Sequence, residues 1–158
     1  MSKTETAALR GLMNFLQASP TAFHAVENLR KMLLKEGFTE LTESSRWNLK
    51  PGGAYFTTRN GSSVLAFRVG EKLSEPGFTL TASHSDSPCF KIKENAEIRV
   101  RDRYVQLNTE GYGGMICSTW LDRPLSVAGR VLVRCKTEAG ERYETRLINC
   151  VRDLVMIS

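Results

Sequence analysis

Tyr55-Phe56-Thr57-Thr58-Arg59-Asn60-Gly61-Ser62-Ser63-Val64-Leu65-Ala66-Phe67-Arg68-Val69 is where the chain turns from helical to strand periodicity. Asn60-Gly61 lies between two runs rich in β-branched and aromatic residues. A type I′ turn needs positive φ at both central positions, which Asn and Gly tolerate, so the stretch predicts a β-hairpin with strands over 55–59 and 63–69. Upstream, the pattern is helical. Ser2 and Glu5 have capping-box spacing, and Leu9, Leu12, Met13 and Leu16 share one face, predicting a first helix to about Ala18. Ser19 as N-cap and Pro20 in the first helical position start a second helix. In it Ala22, Val26, Leu29 and Leu33 recur until Gly37 provides a C-cap. His24, on this helix, has no acidic residue at a useful spacing and reads as a partly buried helix-surface histidine.

Downstream of the hairpin, Phe78-Thr79-Leu80-Thr81-Ala82-Ser83 contains only apolar and small hydroxyl side chains, as expected of a short strand buried on both faces. Ser87-Pro88 stops it. This strand delivers His84-Ser85-Asp86 to its carboxyl end, the place where ligands collect in open α/β sheets. A neutral imidazole is a good ligand for a divalent metal. A carboxylate two residues on can take the ring's other N–H and fix its tautomer and orientation. The bland alternative is a strand-end histidine bonded to a nearby aspartate with no metal. A hydrolytic metal centre would in either case need further ligands from elsewhere.

From Lys91 on, only strand-like runs occur, over 97–107, 125–135 and 142–151, the last two joined by a turn at Glu138-Ala139-Gly140. The expected organisation is therefore α/β. Residues 1–90 hold two helices, a hairpin and a core strand, and 91–158 form a second, β-rich unit. Tyr112-Gly113-Gly114 is not followed by the G-K-[ST] of a phosphate loop.

The 158 residues, 41% hydrophobic and 25% charged, suit an ordinary soluble globular protein. No apolar run approaches a membrane span and the start lacks the apolar stretch of a secretory signal, so a cytoplasmic protein without membrane contact is expected. Cys89, Cys117, Cys135 and Cys150 form no C-x-x-C pair and read as buried free thiols. The net charge of +5 is spread along the chain, and Arg99, Arg101 and Arg103 read as a solvated strand face, not a nucleic-acid site.

Several segments stand in order over essentially the whole chain: Ser19-Pro20-Thr21-Ala22-Phe23-His24-Ala25-Val26, Gly37-Phe38-Thr39-Glu40-Leu41, Trp47-Asn48-Leu49-Lys50-Pro51, Tyr55-Phe56-Thr57-Thr58-Arg59-Asn60, Ser83-His84-Ser85-Asp86-Ser87-Pro88-Cys89, Gly111-Tyr112-Gly113-Gly114, Ser118-Thr119-Trp120-Leu121-Asp122-Arg123 and Leu125-Ser126-Val127-Ala128-Gly129-Arg130-Val131. Together they resemble the aspartyl aminopeptidase family of zinc metallopeptidases. The resemblance implies an enzyme that removes N-terminal, preferably acidic, residues from peptide substrates at a two-zinc centre. There the metals polarise the scissile carbonyl and acidify a bridging water while a glutamate serves as general base.

By position, His84 matches a metal ligand and Asp86 the catalytic-site carboxylate that orients it. The family's catalytic α/β domain is interrupted shortly after this motif by an inserted, barrel-like β domain that mediates subunit contacts, so residues 91–158 are expected to be part of that insertion and the protein a homo-oligomer. Family members are more than twice as long, and their remaining ligands and base lie beyond the residues matched here. The resemblance therefore implies an N-terminal portion that does not catalyse alone. The alternative is a non-catalytic self-association or interaction module derived from the family.

Overall fold

The computed structural model describes residues 3–72, 77–137 and 140–157. It is a mixed α/β chain whose contacts divide it into two compact units, one of residues 1–86 with 127–151 and the other of 87–126 with 152–158.

The first unit is built on strand β2, Ala54–Arg59, flanked by a parallel strand β1, Thr39–Glu40, and an antiparallel strand β3, Ser63–Arg68. Tyr55, Phe56 and Thr57 are successive and all buried, so β2 is covered on both faces. On one face the Tyr55 ring meets its cross-strand partner Phe67 at 5.8 Å between centroids, and Trp47 stacks on Phe67 at 6.2 Å. Phe56, fully buried, points to the opposite face. The hairpin forms where the sequence places it. Asn60 and Gly61 have φ of 54° and 65°, and the Ser62 N–H donates to the Arg59 carbonyl at 3.1 Å. Pairing resumes at Arg59 with Ser63, so Ser62 is one residue more than a two-residue loop holds.

Helix α1 runs over Lys3–Ala18 and α2 over Ala22–Lys35. Ser2, half of the expected capping box, lies outside the described residues. The α2 cap differs from expectation. Thr21, not Ser19, has extended angles and a hydroxyl that accepts the His24 N–H at 3.4 Å, leaving Pro20 just before the cap. The end is as read from the sequence. Gly37 at φ 80° lets its own N–H reach the Leu34 carbonyl (3.1 Å) and the Phe38 N–H reach the Leu33 carbonyl (3.0 Å), a Schellman closure. Ala25 and Val26 are the buried residues of α2, whereas Leu9, Leu12, Met13 and Leu16 of α1 stay exposed. Strands β6, Ala128–Thr137, and β7, Gly140–Asn149, pair antiparallel in the same unit. The expected turn at 138–140 falls mostly outside the described residues.

One expectation is overturned here. Residues 78–83 are not a strand and are not buried: Phe78 is 103% and Leu80 81% exposed. A strand covered on both faces needs partners along its edges, and no strand among the described residues pairs with this segment. The two-sided burial belongs instead to β2.

In the second unit β4, Cys89–Val100, pairs antiparallel with β5, Tyr104–Tyr112. The run 97–107, read from sequence as continuous, is a hairpin. Arg101 and Asp102 take φ of 50° and 51°, and the Arg103 N–H closes on the Val100 carbonyl at 3.1 Å. Phe90 and Trp120 meet edge-to-face at 5.5 Å. Leu125 pairs with Val155, not with β7, so the strand expected over 125–135 begins only at Ala128. The cysteines are less buried than expected: Cys117 is exposed and Cys89, Cys135 and Cys150 are half-buried.

Candidate functional site

Irregular chain over 77–84 leads to His84, whose side chain is 79% exposed, and to Asp86 at 42%. His84 Nδ1 lies 2.8 Å from the Asp86 main-chain carbonyl and 3.3 Å from Asp86 Oδ1. Both neighbours of Nδ1 are acceptors, so a neutral ring carries its proton there and donates it. The lone pair is then on Nε2. A metal-binding imidazole has this form, with one nitrogen restrained by an oxygen acceptor and the other unprotonated. The sequence anticipated the carboxylate. It did not anticipate that the carbonyl of the same residue makes the shorter contact.

Among the described residues no group of three or more His, Cys, Asp or Glu side chains is gathered for a metal ion. His84 therefore fits zinc as one ligand, while a complete site uses three or four protein ligands.

Contacts the sequence did not single out tie this segment to the fold. The half-buried Ser85 donates its hydroxyl to the Ser62 carbonyl at 2.9 Å. Arg130 of β6 donates to both the main-chain (2.7 Å) and side-chain (3.0 Å) oxygens of Asn60, with its guanidinium 4.2 Å from the centre of the Phe23 ring. These partners are far apart in sequence, and only Asn60-Gly61 carried any signal, as a turn.

A groove of about 700 Å3 runs between α2, the β2–β3 turn and the β6–β7 hairpin, lined by His24, Lys31, Arg130 and Leu147 among others. His24 is half-buried, as expected, with Nδ1 at 2.8 Å from the Thr21 hydroxyl. Burial pushes its imidazole below the ordinary 6.5. A ring that resists protonation only when folded favours the fold above the unfolded value and withdraws that support as pH falls. We expect urea midpoints for this unit to fall as pH drops through and below about 6.5, and to fall less in His24→Gln. An unchanged pH dependence in the variant would reject the assignment.

The comparisons give the family. The profile described as "Aminopeptidase I zinc metalloprotease (M18)" matches residues 15–158. The chain is 46% identical over 150 residues to "Probable M18 family aminopeptidase 2" of Clostridium novyi (strain NT), covering 92% of this chain and 34% of that protein. It is 38% identical over 158 residues to "Probable aspartyl aminopeptidase" of Ricinus communis, covering 99% and 32%.

Among solved structures, a complex of Ape4 and Nbr1 superposes with a TM-score of 0.87 at 40% identity, covering 96% of this chain and 29% of that one. The S. cerevesiae mApe1 dodecamer gives 0.73 at 27% identity, covering 90% and 33%. The chain belongs to the M18 family of aminopeptidase I zinc metalloproteases. It spans about a third of the length of the curated relatives it matches. No helix among the described residues is long and apolar enough to cross a membrane.

Proposed function

We propose that these residues serve a zinc aminopeptidase that removes N-terminal, preferentially acidic, residues from peptides. His84 is a metal ligand through Nε2 and Asp86 the carboxylate that orients it. The observation that carries this reading is the Nδ1 restrained by Asp86 on a ring whose side chain is 79% exposed. Zinc held there with ligands from the rest of the site would supply Lewis acidity and a water activated near neutral pH. Asp86 holds the ring proton on Nδ1, which keeps Nε2 unprotonated. Acidic preference is supported by the likeness to an aspartyl aminopeptidase. We further propose that 1–90 serve the catalytic domain and 91–158 an inserted domain for subunit contacts, in a cytoplasmic homo-oligomer, with the β6–β7 hairpin of that stretch grouped by its contacts with residues 1–86. The solved relative described as a dodecamer and the open edges of the β4–β5 hairpin support association between copies.

One imidazole cannot retain zinc at physiological concentration. The 158-residue chain by itself should release no N-terminal aspartate or glutamate from a peptide, with or without added zinc. Release that disappears on chelation and in His84→Ala would show instead that the chain assembles a working centre alone. Sedimentation of the same sample tests association: a strict monomer at high concentration would remove the subunit-contact reading.

A further inference from the structure

We infer that the Asn60-Gly61-Ser62 turn, clamped by Arg130, is the seat that holds the His84–Asp86 pair in place through Ser85, making Ser85 and Arg130 positioning residues. The inference rests on the reading of His84 as a metal ligand, since it states how that ligand is aimed. His84 is mostly exposed and belongs to a stretch without regular structure. Ser85 is half-buried, and its hydroxyl bonds a carbonyl 23 positions away in sequence. Ser85 is at a bend between His84 and Asp86, so anchoring its hydroxyl on the Ser62 carbonyl fixes the short loop from which both side chains project.

The seat is itself fixed. Ser62 closes the turn on Arg59, and Asn60 and Gly61 both hold left-handed angles. Asn60 takes such angles at a cost, and the Arg130 guanidinium offsets it by donating to both Asn60 oxygens while stacking on Phe23. A lysine has no planar face for that stacking on Phe23. A connected path thus runs from β6 through the turn to the segment carrying the ligand, and all its members lie in the first compact unit.

The test is nitrogen-15 NMR of the His84 ring in the 158-residue chain, without metal and at a pH where the ring is neutral. The native chain should show His84 mainly as the Nδ1–H tautomer. Ser85→Ala should shift it to mainly Nε2–H, and Ser85→Thr, which keeps the hydroxyl, should restore the native pattern. Arg130→Lys should shift it in the same direction as Ser85→Ala while amide spectra show the sheet intact. Native ring shifts in Ser85→Ala, or no recovery in Ser85→Thr, would overturn the proposal. Should Arg130→Lys unfold the unit, the Ser85 pair decides alone. Because no metal is present, zinc binding by the complete site is judged by a separate titration, and either reading can fail without the other.

Discussion

Phe56→Ala should lower the stability of the first unit by about 3–5 kcal/mol, a large share of the roughly 5–15 kcal/mol that holds a typical domain together. Phe56 is 0% exposed, and the only other buried apolar residues among those described are Ala25, Val26 and Tyr55. With so few large side chains nearby, the space left by a lost ring has little to collapse into it, which places the cost toward the upper end of the range. The backbone compounds this. Phe56 pairs with Glu40 on one side and Ala66 on the other, and its carbonyl accepts the Leu41 N–H at 2.7 Å, so loosening β2 loosens both neighbours. Phe78→Ala is the control, because Phe78 is fully exposed and a surface change of this kind stays within about 0.5 kcal/mol. Urea titrations followed by circular dichroism would measure both; equal midpoints for the two variants would refute the placement of the core in β2.

What the sequence disclosed was what is local. The Asn60-Gly61 turn, the Gly37 helix end and the pairing of His84 with Asp86 each depend on residues within a few positions of one another, and each is found. The shift of the α2 cap from Ser19 to Thr21 is a competition between two suitable hydroxyls two residues apart, settled by which one reaches a free helical N–H. Residues 78–83 have the composition of a buried strand, but burial requires partners, and composition says nothing about where they are. The β4–β5 turn escaped notice because Arg101-Asp102 lacks the glycine that normally signals paired left-handed residues. Ser85 and Arg130 were invisible for a related reason. Their roles exist only through Ser62 and Asn60, 23 and 70 positions away.

In a protein that joins this chain to the two thirds its relatives add, His84→Ala should remove zinc binding at one metal position and reduce peptide hydrolysis to background. Asp86→Ala should be far milder. Groups that orient a metal-bound histidine are worth about 10- to 100-fold in metal affinity. Here the ring proton has two acceptors, and the nearer one, at 2.8 Å against 3.3 Å, is the Asp86 main-chain carbonyl, which alanine retains. The effect of losing the carboxylate should therefore fall near the lower limit, about 10-fold. Zinc titration against a competing chelator, run beside hydrolysis of a peptide with N-terminal aspartate, separates the two roles. Native zinc affinity in His84→Ala would remove the ligand assignment. If Asp86→Ala were as damaging as His84→Ala, the carboxylate would have to do more than orient the ring, and direct contact with metal or substrate would replace the orienting role.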